Sequence, residues 1–148
     1  MTIETDIQAA LIIRLCPTAA TVQAAPSDIT SPTTPVAHPL IAYTPTSGVK
    51  YLAAWPLLRA APDHPFLPFD APTFRRGIFQ VDAVAPDNQG EGPGLRLAEL
   101  VAARFAIGTR LTAGAYTIQL DKVPTIAAAV KDAPWVRYPV SIPYLVIT

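Results

Sequence analysis

The side chains able to do chemistry are few and scattered. The 148-residue chain has two histidines, His38 and His64, and one cysteine, Cys16. Both histidines precede a proline, in segments that read as loops. A zinc centre needs three or four His, Cys or carboxylate ligands at patterned spacing, and no HxxxH, HExxH or Cys/His cluster occurs. None of Ser27, Ser31, Ser47 or Ser141 lies in the GxSxG turn that exposes a nucleophilic serine. Asp63 and His64 are adjacent in the chain, an arrangement that rarely orients a carboxylate against an imidazole as a triad requires. Cys16 has no local partner to lower its thiol pKa, and reads as an inert thiol at a helix end. Gly90, Gly92 and Gly94 lie in DNQGEGPG, but no GK[ST] or GxGxxG follows a strand there, and Asp87 and Glu91 are the wrong charge for phosphate. Asp82 remains, a carboxylate in the middle of RRGIFQVDAVAP. Without a second carboxylate or a metal it cannot run acid–base hydrolysis. It calls instead for a hydrogen-bonding or cationic partner, with Arg75, Arg76 and Arg137 the candidates. No catalytic residue, cofactor or metal ligand is assigned, and the chain reads as a non-enzyme.

The elements that would hold Asp82 are legible in outline. Residues 75–86 alternate strictly, with Phe79, Val81 and Ala83 on one side and Ile78, Gln80, Asp82 and Val84 on the other. That is the period of a β-strand, here a central one. The first set should cover a core; the second is either half solvated or buried against another subunit. A helix is expected from the N-terminus to Cys16, with Thr2 as its cap, Glu4 and Asp6 in the first turn, and Ile3, Ile7, Leu11 and Leu15 inward. A second amphipathic helix is expected over Leu95–Phe105, with Leu97, Ala98, Leu100, Val101 and Phe105 as its core stripe and Gly108 as its C′ residue.

Between these anchors the sequence predicts a hairpin. Leu40–Thr44 would pair with Val49–Leu58 across the turn Pro45–Gly48, with Pro56 forcing an edge position or a bulge. The chain then runs through a proline-rich loop, 59–73, where Phe66 and Phe69 either tuck under the sheet or form a contact patch. Tyr116, Ile118 and Leu120 mark a strand, and 122–133 is expected to be mostly extended. Trp135–Ile147 closes the chain as a long strand. Val136, Tyr138, Val140, Ile142, Tyr144 and Val146 share one face of it. Pro139 and Pro143 delete donors on a single edge, so one side of that strand cannot be paired throughout. Residues 17–39 hold five prolines and no lysine or arginine, and read as a long loop or an arm onto a neighbour.

Composition bounds the rest. The length suits one domain spanning 1–148, with the arm at about 17–39. The formal charge is zero, with 11 basic and 11 acidic residues, so neither a nucleic-acid footprint nor a polybasic membrane contact is indicated. No apolar run approaches the roughly 18–20 residues that span a bilayer. Near-neutral charge with 51% hydrophobic residues favours self-association.

The order of RGIFQVDAVAP, a glycine-bearing turn, the helix ending at Phe105, GTRLTAG and PVSIPY at 139–144 resembles the tail-terminator family of long-tailed bacteriophages, proteins similar to the lambda tail terminator. The resemblance covers nearly the whole chain; the segment 17–39 is longer than the family pattern. It implies an α+β fold, a mixed and mainly antiparallel sheet with two main helices packed on one face. It also implies a structural virion protein. Such a protein would be a homo-oligomer, a hexameric ring, on the head-proximal end of the tail tube. It would stop polymerisation and present a head–tail joining surface. The implied partners are the tail tube protein and a neck or connector protein, with the genome passing through the lumen without specific nucleic-acid binding, and assembly in the host cytoplasm. A neck or head-completion protein is the first alternative, and a small-molecule enzyme a weaker one. The candidate subunit-interface residues are Arg75, Arg76, Gln80, Asp82, Arg137 and Tyr144.

Overall fold

Two strands of equal length form the spine. In a computed structural model, which describes residues 3–15, 22–24, 35–37, 39–40, 44–63, 72–87 and 90–148, β5 spans Phe74–Pro86 and β10 spans Trp135–Ile147. They pair antiparallel along their whole length, from Trp135 opposite Pro86 to Ile147 opposite Phe74. The remaining strands are β1 (Val22–Ala24), β2 (Pro35–Ala37), β3 (Tyr51–Ala54), β4 (Leu58–Arg59), β6 (Arg110–Ala113), β7 (Tyr116–Gln119), β8 (Thr125–Ile126) and β9 (Val130–Asp132). Among the described residues they make one sheet in the order β1-β2-β3-β5-β10-β7-β6. In addition, β4 pairs with β5, and β8 and β9 pair with β10. The β2–β3 pair is parallel and the others are antiparallel, so the sheet is mixed and mainly antiparallel, as expected.

Both helices lie on one face of this sheet. The first, α1 (Ile3–Leu15), turns Ile7, Leu11 and Leu15 inward at one-turn intervals. The second, α2 (Gly92–Arg104), buries Leu97, Ala98 and Val101, with Phe105 just beyond its end. Period two in the strands supplies the other half of the core: Leu52 and Ala54, Phe79, Val81 and Ala83, and Tyr138, Val140 and Ile142. Phe79 and Phe105 meet edge to face at 5.7 Å, joining β5 to the end of α2. Burying such a side chain stabilises the fold by roughly 1.5–3 kcal/mol, so this face explains why both helices stay on it.

The helix ends are tied to each other. Arg14 Nε donates to the Arg104 carbonyl at 3.1 Å, and Arg104 Nε donates to the Arg14 carbonyl at 2.8 Å. Both carbonyls lie in last turns, where the helix itself offers no donor. At the other end of α1, Glu4 accepts from Arg59 at 2.9 Å and from Arg75 at 3.1 Å, fixing the helix start to β4 and β5.

Several expectations need correction. Helix α2 starts three residues before Leu95, with Pro93 in its first turn where a missing N–H costs nothing. Leu100 points outward, 41% exposed, and is not part of the core stripe. The helix is closed by Phe105, whose N–H reaches the Val101 carbonyl at 3.2 Å; Gly108, at φ +88°, serves the next turn rather than the cap. Leu40 has φ +59° and lies in a turn, not in a strand. Among the described residues the partners of β3 are β2 and β5, and neither Leu40 nor Thr44 pairs with it; residues 41–43 of the expected hairpin lie outside the described residues. Part of the stretch 17–39 is sheet: β1 pairs with β2, and Val36 is fully buried in the core. Thr2, Cys16, His38, His64, Phe66 and Phe69 lie outside the described residues.

The proline reading of β10 holds. On the edge away from β5, β9 covers 135–137, β8 covers 140–141 and β7 covers 145–146. Pro139 and Pro143 fall in the two gaps between these patches. The Pro139 carbonyl, facing that edge, accepts from the Ala127 N–H at 2.8 Å.

Candidate interaction face

Residues directly opposite in an antiparallel pair share a face, so the register defines what lies on the side without helices. Tyr51, Val84 and Arg137 form one row; Ala53, Asp82 and Pro139 the next; then Gln80 with Ser141; Leu58 with Ile78 and Pro143; and Arg76 with Leu145. The break between β3 and β4 adds a residue to that edge. Ala54 pairs with Val81 and Leu58 with Ile78, so three residues, Trp55–Leu57, face two on β5. This is the bulge that Pro56 calls for. The Trp55 N–H still reaches the Gln80 carbonyl at 3.0 Å.

The bulge sets the Trp55 ring over Asp82. Indole Nε1–H donates to Asp82 Oδ2 at 2.8 Å, and Gln80 Nε2 donates to Oδ1 at 3.2 Å. Arg137 Nη1 lies 3.8 Å from Oδ2, and its Nη2 lies 3.4 Å from Asp132 on β9. Asp82 is only 3% exposed, yet its two oxygens have two neutral donors and a cation. Beside it the Tyr51 and Trp135 rings meet edge to face at 5.5 Å. The network ties β3, β5, β10 and β9 together at one spot. Its one cation, Arg137, stands between two carboxylates, Asp82 and Asp132, so the charges and the hydrogen bonds together hold this surface in shape.

The candidate interface residues therefore separate. Gln80, Asp82 and Arg137 come together on the helix-free face. Arg76 is on the same face, one end further along, and pairs with Asp121 at 3.1 Å. Arg75 points to the helix side, to Glu4. Tyr144 also points there and is buried, its ring packed over Gly77, where a side chain would collide with the Tyr144 hydroxyl. Burial first, and the Glu4 charge second, push the Tyr144 hydroxyl up to about 12, against a smaller opposing pull from Arg59. Trp55 is the residue that sequence reasoning missed as the donor to Asp82. The signal was present in the alternation Tyr51, Ala53, Trp55, which puts the ring on the Asp82 face.

Next to the network the same face carries an open trough. Leu58, Ile78, Pro143 and Gly77 line its floor, and Arg59, Arg76, Asp121 and Lys122 its rim. It runs on at Leu58 into a second hollow bounded by Trp55, Pro56, Leu57 and Gln80. Leu58 is 58% exposed and Trp55 is 44% exposed, so large apolar side chains stand open to solvent here. Among the described residues no group of three or more His, Cys, Asp or Glu could hold a metal ion. No helix among them is long and apolar enough to cross a membrane.

A solved structure without a functional description has the same fold, with a TM-score of 0.73, 23% identity, and 97% of this chain and 94% of that chain covered. A chain from the virion of a native gene transfer agent particle matches with a TM-score of 0.60 and 14% identity, over 99% of this chain and 98% of that one. A search of curated protein sequences found no match. The family model described as phage tail terminator protein matches residues 6–144, which takes in both helices from Asp6 onward and the spine strands to Tyr144. The chain therefore belongs to the phage tail terminator protein family, and is a structural protein associated with phage tails.

Proposed function

We propose that the protein closes a ring, a hexamer, on the head-proximal end of a phage tail tube, ends the tube's growth there, and offers the surface to which the head is joined. It does so in the assembled virion, after folding in the host cytoplasm. Its partners are further copies of itself, the tail tube protein and a neck protein. The observation that carries this reading is the helix-free sheet face. One side of the sheet is covered by α1 and α2, while the other exposes Trp55 and Leu58 beside a preorganised polar network at Asp82. An apolar patch of this kind on a chain of zero net charge suits a protein–protein contact. Arg76, Gln80, Asp82 and Arg137 are proposed as its polar members; Arg75 and Tyr144 support it from behind. The fold likeness to a chain of a gene transfer agent virion is in keeping with a place in a particle.

The test is an infection in which this gene is silent. Tails of abnormal length that fail to join heads are expected in electron micrographs. Tails of normal length that still fail to join would assign the protein to the neck, and functional virions would remove it from tail completion altogether.

A further inference from the structure

Arg137 lies in the middle one of the three strands that carry it and its two acids. On the helix-free face it is flanked by Val84 of β5 and Val130 of β9, with Asp82 one diagonal away on β5 and Asp132 on the opposite diagonal on β9. Its Nη2 is 3.4 Å from Asp132, and its Nη1 is 3.8 Å from Asp82, beyond hydrogen-bond reach. Distance favours Asp132. Burial favours Asp82, because water screens the 64% exposed Asp132 side chain and hardly reaches the other. Nε of Arg137 is buried without a hydrogen-bond partner, so no bond at that atom fixes the guanidinium where it stands. The two acids also differ in what they stand on. Asp82 belongs to the β5–β10 spine. Asp132 belongs to the segment 121–134, which β8 and β9 hold to β10 by separate patches, and Val130, Lys131 and Asp132 are all exposed. Little burial holds β9 down, so a side-chain tie carries weight there.

We propose that Arg137 is a latch with two seats. With β9 in place the cation leans on Asp132 and stands towards solvent. When β9 lifts, the cation loses that acid and moves about 1 Å onto Asp82, close enough for a charge-assisted hydrogen bond. The seating of β9 thereby sets whether the centre of the helix-free face offers its cation outward or draws it in. Asp82 and Asp132 compete for one guanidinium, so a stronger hold by either weakens the hold of the other. The latch goes beyond the function proposed above and does not depend on the ring.

Amide hydrogen exchange of β9 in the full-length protein tests the latch. Asp132→Asn and Arg137→Gln each remove the outer tie, and each should speed exchange at 130–132 by about two- to five-fold, the range of an exposed ion pair. The double variant should be no faster than either single one, because both remove the same interaction. Asp82→Asn should act in the opposite direction. It keeps the shape of the side chain and removes the competitor, so Arg137 commits to Asp132 and β9 exchange should slow by about two-fold. A purely structural role for Asp82 predicts faster exchange there instead. Unchanged exchange in Asp132→Asn overturns the latch, as do additive effects in the double variant and unchanged or faster exchange in Asp82→Asn. If Asp82→Asn does not keep the wild-type fold, added salt decides. Salt screens the exposed Asp132 more than the buried Asp82, so it should speed β9 exchange in the wild type and leave Asp132→Asn as it was; an equal response in both, or none in either, overturns the latch.

Discussion

Removing the Asp82 carboxylate takes away the acceptor that the Trp55 indole and the Gln80 amide share, and one of the two carboxylates beside Arg137. A fully buried pair broken this way costs roughly 3–5 kcal/mol, an exposed one about 0–1. The Arg137 side chain is partly exposed and sits 3.8 Å away, so the hydrogen bonds decide. Asp82→Ala should cost about 1–3 kcal/mol in denaturant unfolding. Asp82→Asn keeps an acceptor for Trp55 and should recover most of that; equal losses would mean the charge, not the hydrogen bonds, matters. Tyr144 gives a pH signature. Its hydroxyl titrates near 12 when folded, against 10.0 for an ordinary tyrosine, so the unfolded chain loses the proton first. Its contribution is intact below pH 10 and is lost as pH rises towards 12. Tyr144→Phe should flatten that part of the alkaline melting curve; an unchanged slope would point to other groups. Of these two residues, Asp82 was legible as a carboxylate in need of a partner, and Arg137 was among the partners named. Tyr144 was placed on the right strand face, but the sequence does not say which face the helices choose.

At the scale of elements, local pattern was readable wherever one face is apolar and was lost where prolines interrupt it. Strand β10 and the residues of α1 follow directly from their spacing. Strands β1 and β2 do not, because three-residue strands among prolines carry no period to detect. Val36 makes the difference measurable. As a surface arm it would tolerate change; as a buried member of β2 it should lose about 2 kcal/mol on Val36→Ala, from two carbons' worth of burial and the cavity left behind. A loss within about 0.5 kcal/mol, the range of surface changes, would detach β2 from the core. Helix α2 sets two effects against each other at Gly94. Alanine is the better helix former by up to about 1 kcal/mol, yet a Cβ there would stand 2.5 Å from the Tyr138 ring. That ring is buried in the core and cannot swing aside. Overpacking of this kind costs about 1–3 kcal/mol, so Gly94→Ala should lower the melting temperature, and a rise would show that the helix shifts freely on its sheet.

At the scale of the whole molecule, sheet order was out of reach of the sequence. Which strand lies beside which is decided by contacts distant in the chain, such as β3 with β2 in parallel, and no local pattern reports them. The one global feature that could be read was the incomplete edge of β10, since a proline's missing donor is a property of the residue itself. That edge has a further meaning. The β5–β10 ladder runs unbroken over 13 residues, while β7, β8 and β9 hold on to the far side of β10 by separate patches. Cooperativity along a ladder stops where a rung is absent, so the patches can let go one at a time without loosening the spine. Residues 121–134 should then exchange their amide hydrogens for deuterium through small local openings, and the facing amides of β5 and β10 only when the whole subunit opens. Two prolines thereby divide one strand into a permanent side and a releasable side. The subunit is then expected to open first along the segment that carries β8 and β9, and last along the β5–β10 spine.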